Sequence, residues 1–452
     1  MAPAWMDREW ITPEDNYWWR MQDATDLLTI HSAMLFDGPL ELAELRAWLD
    51  ERTAAIKRFR DRLVLPRGRF GFPYWEPYTE FRIEDHVHRI ALHKRIERAD
   101  IERLVGGMAS VPLDYGKPPW EMYLLEGDGA SGAVITKVHH VMGDGLALTQ
   151  LLLDLSNGHS RSNPVEDRAE EQGFLSNLLR PARRTIHTSS SLLRTGARLA
   201  THPRRSLDWS VDAAAEWIWS LAIQPDPHTF LKDKAGFAKR AAWAKTIPIS
   251  ELKALGRASD ATVNDVVLTL LTGALRRYLE QRGVDLGGEE IRALLPVNVR
   301  PADSPPTLDN YFGMLGLSLP IHIVDPARRL AEMHARMSEL KESTAPSANY
   351  VLMCAMGLAP KAIQDALTEI YVSRYSIMVT NVPGPTEPVH LAGKPISDMA
   401  FWAPGSGKPG FAVSIFSYAG KLNLTLGTDA RRVPDPEAIA RAFDDEFAAF
   451  CK

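Results

Sequence analysis

Residues 132–145 read Gly132-Ala133-Val134-Ile135-Thr136-Lys137-Val138-His139-His140-Val141-Met142-Gly143-Asp144-Gly145. The first half, Ala133 to Val138, is apolar and β-branched, the composition of a strand. It runs into adjacent histidines and a Gly-Asp-Gly turn, after which Gly145 to Leu155 is leucine-rich with helical spacing. A strand feeding a helix through a polar turn predicts layers of sheet and helix rather than a bundle. If the strand persists into the motif, alternation puts His140 on the face of Val134 and Val138 and turns His139 away. One imidazole then lines a cavity while the other packs or orients.

The chemistry of that turn follows from its residue types. Imidazole titrates at about 6.5, so a neutral ring near pH 7 can take a proton from a bound nucleophile. An alcohol attacking a thioester needs such help, and His140 is the candidate base. No Gly-x-Ser-x-Gly elbow supplies an enzyme nucleophile, so direct transfer without an acyl-enzyme is expected. Asp144 has two readings: a carboxylate touching His140, or an N-cap or buried ion pair fixing the loop. The cap is favoured, since Asp is a preferred N-cap residue. Gly145 is expected to permit a backbone angle or a close approach that a side chain would obstruct.

Outward from the motif, the chain of 452 residues is 45% hydrophobic and 24% charged, with a formal net charge of −5. That is ample material for sizeable cores and too little charge for wholesale disorder. A sequence pI near 6.2 argues against nucleic acid as a partner. Two cysteines, Cys354 and Cys451, cannot staple such a chain and fit a reducing cytoplasm. Asp7, Arg8 and Glu9 stand where a signal peptide needs an apolar core, and no run of about 18 uncharged apolar residues occurs. The expected location is cytoplasmic, with membrane contact only peripheral.

Three regions differ in pattern. Residues 1–160 mix helical spacing (Leu40 to Arg60), extended segments (Phe81 to Leu92) and the motif. Residues 161–238 form a basic connecting segment. Gln172 to Leu207 has no acidic residue but seven arginines. It reads either as a basic amphipathic surface on anionic lipid or as a helical linker between lobes. From residue 239 to 452 an ordered pattern resumes. A helix is predicted over Thr262 to Gly283, and helix starts at Asp325-Pro326 and Asp435-Pro436. Strands are expected over Arg374 to Asn381 and Phe411 to Phe416, the latter turning at Ser417 to Lys421 into Leu422 to Leu426 as a hairpin.

These residues resemble a known family. The His-His-x-x-x-Asp-Gly motif looks like that of the CoA-dependent acyltransferase superfamily. Further blocks narrow it: Pro112-Leu113-Asp114 with Pro118-Pro119-Trp120-Glu121, Leu124-Leu125-Glu126-Gly127, and Thr262-Val263-Asn264-Asp265-Val266-Val267-Leu268. Leu295-Pro296-Val297-Asn298-Val299-Arg300, Asn310 with Gly313, and Thr380-Asn381-Val382-Pro383-Gly384-Pro385 complete the set. Together they resemble the bacterial wax ester synthase/diacylglycerol acyltransferases. The resemblance implies an α/β (α+β layers) fold of two chloramphenicol-acetyltransferase-like lobes, with the active site in a channel between them. It implies acyl-CoA as a substrate rather than a bound cofactor, and a long-chain alcohol or diacylglycerol as acceptor. His140 is then the base, with His139, Asp144 and Gly145 beside it and Asn264, Asp265, Arg300 and Asn381 as substrate or support residues. Asn264 and Asp265 read equally as transition-state contacts or as a helix cap facing the lobe interface. Arg300 is a candidate partner for Asp144 across the lobes. Peripheral contact with a membrane or lipid droplet also follows; the oligomeric state does not.

Departures exist: Thr29-Ile30-His31-Ser32-Ala33-Met34 stands where many members have a Met-His pair, and the basic segment is poorly matched. His31 reads as a satisfied strand histidine. Gly405 to Gly410 satisfies Gly-x-Gly-x-x-Gly, but a strand rather than a helix follows, so it is a loop. No metal site is expected, since adjacent strand histidines diverge, and His86, His88 and His93 read as an exposed strand edge. The tryptophans read as core. Two alternatives stay open: transfer to another hydroxyl or amine acceptor, and a non-catalytic lipid-binding scaffold.

Overall fold

A sheet whose two faces both carry apolar side chains must be covered on both, and two such sheets organise this protein. The computed structural model describes residues 9–65, 72–129, 131–156, 226, 229–288, 290–300, 308–341, 343, 345–405 and 409–451. The arginine-rich stretch, Trp217 and Trp219 lie outside the described residues.

A small sheet contains β1 (Glu9–Trp10), β3 (Asp61–Val64) and β4 (Tyr74–Pro77). The first large sheet uses β2 (Thr29–Phe36), β5 (Val87–Ala91), β6 (Trp120–Glu126) and β7 (Gly132–His139). The second uses β8 (Lys239–Trp243), β9 (Ile247–Pro248), β10 (Ile291–Asn298), β11 (Phe312–Leu319), β12 (Ile377–Pro383), β15 (Phe411–Tyr418) and β16 (Lys421–Asp429). Between these in sequence come β13 (His390–Leu391) and β14 (Lys394–Trp402), which leave the C-terminal half and join the first sheet, in the order β13-β14-β2-β7-β6-β5. Ala400 of β14 sits opposite Ala33 of β2, and Trp402 opposite His31. Both large sheets are mixed, with parallel pairs at β5–β6, β10–β12 and β12–β15.

The helices are α1 (Pro13–Met21), α2 (Leu42–Ala54), α3 (Arg98–Met108), α4 (Gly145–Leu155), α5 (Ile249–Arg257), α6 (Val263–Gln281), α7 (Pro326–Lys341), α8 (Ala345–Leu358), α9 (Lys361–Val372) and α10 (Pro436–Phe450). The predicted helix at 262–283 is α6. Thr262 and Asp265 form its capping box, and Gly283, at φ +73°, follows its end. Its Val266, Val267, Leu270, Leu271 and Ala274 are buried in the C-terminal core. Each fully buried Val or Leu contributes about 1.5–3 kcal/mol relative to exposure. The proline-led starts of α7 and α10 and the β15–β16 hairpin fall where the pattern puts them.

Three local expectations are corrected. Helix α2 stops at Ala54, and a 3-10 turn follows at Lys57–Phe59. Residues 81–92 are not one extended segment: a 3-10 turn at Ile83–Asp85 precedes β5. That turn swings His86 inward, so it is buried, not on an exposed edge. Its ring stacks against Phe81 and Trp120, and Nδ1 lies 2.8 Å from the Trp120 carbonyl oxygen.

Candidate active site

Strand β7 ends at His139 rather than continuing through the motif, which corrects the simple alternation expected for the pair. The cause lies in His139 itself. Its Nδ1 accepts from the Val141 N–H at 3.1 Å, capping a 3-10 turn over His140–Met142. An accepting Nδ1 leaves the ring hydrogen on Nε2, which donates to Gln22 Oε1 at 3.2 Å. Tyr115 donates to the same oxygen at 2.8 Å, and Trp19 packs against the ring. Burial, with His140 alongside, pushes the His139 pKa down to about 3. His139 is therefore a neutral wedge that shapes the turn.

His140, thrown off the strand by that turn, keeps 8% of its surface exposed. Its N–H donates to the Leu28 carbonyl at 2.9 Å, and its own carbonyl accepts from Asn310 Nδ2 at 2.8 Å. Burial holds its pKa below the usual imidazole value, with the Asp144 charge pulling partly the other way. The ring is therefore predominantly neutral at pH 7, as a base must be.

Asp144 is the N-cap of α4: Oδ1 accepts from the Ala147 N–H at 2.9 Å. Oδ2 accepts from the Tyr311 N–H at 3.1 Å and pairs with Arg300 at 2.7 Å. Arg300 also binds Asp309 at 2.9 Å. Gly145 does not use the left-handed region; it permits a close approach, since a Cβ there would stand 2.9 Å from Val382 Cγ2 of β12.

One residue before Val382, Asn381 donates from Nδ2 to Asn264 Oδ1 at 3.1 Å, tying β12 to the start of α6. Asp265 points elsewhere. Its Oδ2 accepts from the Thr262 N–H at 2.8 Å and lies 2.9 Å from His334 Nδ1. That favours the cap reading of Asp265. The structure thus gathers His139, His140, Asp144, Gly145 and Arg300 at one place and pairs Asn264 with Asn381 at the neighbouring strand end.

Several residues of the site have roles that the sequence does not disclose, Asn310 entering only as part of a family block and Trp18 only as core. Asn310 Nδ2 also donates to Asp15 Oδ1 at 2.9 Å, so α1, the loop before β11 and the His140 backbone meet at one amide. Asp15 is fully buried; burial and the nearby Glu14 and Asp309 charges raise its pKa above the usual carboxylate range, and the Asn310 bond opposes them. Trp18 stacks on the His140 ring. A helix of three acidic or amide residues and three aromatics, buried nearly throughout, reads in isolation as a marginal surface helix.

Two cavities lie on opposite faces of the β2–β7 pair. One, of about 680 Å³, is apolar and lined by Ile30, Val138, Gly145, Leu152, Val382 and Phe401, among others. The other, of about 540 Å³, is lined by Thr29, His31, Lys239, Arg240 and Trp402 among others. His31 is only half satisfied, contrary to expectation: Nε2 is buried without a partner, and burial pushes its pKa down to about 3. Among the described residues, no group of three or more His, Cys, Asp or Glu side chains could hold a metal ion.

Residues 11–267 match the wax ester synthase/diacylglycerol acyltransferase catalytic domain, and residues 308–450 the WS/DGAT C-terminal domain. A probable diacylglycerol O-acyltransferase of Mycobacterium tuberculosis is 27% identical over 435 residues, covering 93% of this chain and 90% of that protein. A putative diacylglycerol O-acyltransferase of the same organism is 30% identical over 377 residues, covering 79% and 73%. The solved wax ester synthase/diacylglycerol acyltransferase of Marinobacter aquaeolei VT8 superposes with a TM-score of 0.68 at 21% identity, covering 98% of both chains. The first condensation domain of the CDA synthetase gives 0.62 at 14% identity, covering 98% and 96%. These superpositions establish the shared two-lobed fold.

Proposed function

The chain belongs to the wax ester synthase/diacylglycerol acyltransferase family of acyltransferases, and we propose that it esterifies a long-chain alcohol or diacylglycerol directly from acyl-CoA, with His140 as general base. The acceptor hydroxyl hydrogen-bonds to His140 Nε2, since Nδ1 is sealed in the interior. As the oxygen attacks the thioester carbonyl, its proton passes to Nε2. The tetrahedral oxyanion then collapses, the C–S bond breaks, and the departing CoA thiolate takes the proton back. The ring is left neutral and no acyl-enzyme forms.

The observation that carries this reading is a buried imidazole, its pKa held low, in the turn that joins two walls of an apolar cavity, although His140 is not itself among the residues that line it. Val138 and Gly145, on either side of the two histidines, both line that cavity. An apolar wall suits a fatty chain and keeps water from hydrolysing the thioester. The second cavity, with Lys239 and Arg240 on its wall, suits the polar part of the donor. Acceptors this apolar reside in membranes or droplets, so the proposal includes peripheral contact with such a surface. No helix among the described residues is long and apolar enough to cross a membrane.

The test mixes purified protein with palmitoyl-CoA and either hexadecanol or dioleoylglycerol and follows free CoA. Wild type should release CoA with at least one acceptor, and His140→Ala should be slower by about 10²–10⁴-fold. Ester formation by His140→Ala at the normal rate would remove the mechanism.

A further inference from the structure

No carboxylate holds the ring of His140. Among the described residues its Nδ1 makes no well-aligned hydrogen bond, only weaker polar contacts with the Asn310 side chain and its own carbonyl, and the Asp144 carboxylate is taken up by Ala147, Tyr311 and Arg300. What the ring does meet is an indole. Trp18 lies nearly parallel to it, with centroids 4.9 Å apart and planes 13° from coplanar, while Phe312 leans in at 5.9 Å. Rotation of the imidazole out of its plane would drive a ring edge into the indole face.

Trp18 is itself held firmly, being 1% exposed on a helix fixed to the C-terminal half. Asn16 donates from Nδ2 to the Gly357 carbonyl at 2.6 Å, and Gln364 donates to the Tyr17 carbonyl at 2.9 Å. Trp18 Nε1 is buried and has no acceptor among the described residues. The indole is therefore not retained for its N–H, and its face is what the site uses.

We propose that Trp18 is the positioning residue of the catalytic base: its stacked indole fixes the plane of the His140 ring and stabilises the imidazolium formed when the acceptor proton is taken. The proposal rests on the reading of His140 as that base. In a Ser-His-Asp triad one carboxylate does both tasks, holding the ring and balancing its charge. Here the nearby carboxylate favours the charged ring without a hydrogen bond to it, its own bonds going to Arg300 and two backbone N–H groups, and a π-face shares its work. An aromatic face is electron-rich, so it favours a cationic ring above it over a neutral one.

The test compares wild type, Trp18→Phe, Trp18→Leu and His140→Ala as full-length proteins. Palmitoyl-CoA and hexadecanol are the substrates; kcat, KM for palmitoyl-CoA, the pH dependence of kcat and Tm are read. Trp18→Leu should lose about 100-fold in kcat, the scale of a small misplacement of a reacting group, with KM for palmitoyl-CoA unchanged. The acid limb of its kcat profile should move to lower pH, because the imidazolium has lost its partner. Trp18→Phe, which keeps an aromatic face, should restore most of kcat and return the limb towards wild type. Should Trp18→Leu not fold, the unbranched apolar Trp18→Met carries the same comparison against Phe. Leu or Met at wild-type kcat would overturn the proposal. So would equal losses in Phe and Leu that track their losses of Tm, which is the mark of packing alone. Normal turnover by His140→Ala would instead sink the general-base reading, so the two failures are distinguishable.

Discussion

Arg300 is where a single side chain holds the two halves together at the site. It stands between two buried carboxylates, 2.7 Å from Asp144 and 2.9 Å from Asp309. Removing a cation from such a cluster leaves two anions facing each other in a poorly solvated space. Arg300→Ala should therefore destabilise the protein by about 3–5 kcal/mol, read as a lower midpoint in urea, while acyl-CoA binding persists. A wild-type midpoint would show that the ion pair supports nothing. The pairing was legible in the sequence because Asp144 and Arg300 each sit in a recognisable block. Asn310 was legible only as part of a family block and Trp18 only as core; what each does at the site, and Gln22 altogether, were not legible. Asn310 meets His140 across 170 residues and Asp15 across 295, and no local pattern encodes a contact made only when distant strands assemble.

At the scale of elements, α1 is the hinge pin of the arrangement. It packs against α8 so closely that a Cβ on Gly357 would overlap the Pro13 carbonyl oxygen. Gly357→Ala should push α1 outward, costing about 1–3 kcal/mol as an overpacked contact. Because Trp18 rides on the same helix, kcat should fall in the same variant, measurable in the CoA-release assay; unchanged kcat would show that α1 moves independently of the site. The periodic elements, α4, α6 and the β15–β16 hairpin, were readable from spacing and turn residues alone. The end of β7 was not, since a histidine side chain rather than a glycine or proline closes that strand. His86 was misread for a related reason: its burial depends on Phe81 and Trp120 arriving on both faces of its ring.

At the scale of the whole molecule, the apolar cavity draws its wall from both halves: β2, β6, β7 and α4 on one side, and β12, β14 and β15 on the other. If the fatty chain lodges there, bulk on α4 should shorten what fits. Leu152→Trp is expected to shift preference from palmitoyl-CoA towards short-chain acyl-CoA, read as the ratio of kcat/KM values for the two. An unchanged ratio would place the chain elsewhere. The two-lobed plan was expected, but the exchange of β14 into the first sheet was not. Its Met399-Ala400-Phe401-Trp402 run is as apolar as any strand of its own half, so composition alone does not say which sheet it joins.

That borrowed strand also bears on how the protein can be divided. Cutting the chain after residue 267 would keep the whole matched catalytic domain yet strip β2 of its neighbour, baring a row of unsatisfied backbone groups beside Ala33 and Met34. Such an open border recruits other chains. The motif-bearing half is therefore not a minimal enzyme awaiting isolation: severed from its C-terminal complement it should clump, and only co-produced fragments could restore a closed border.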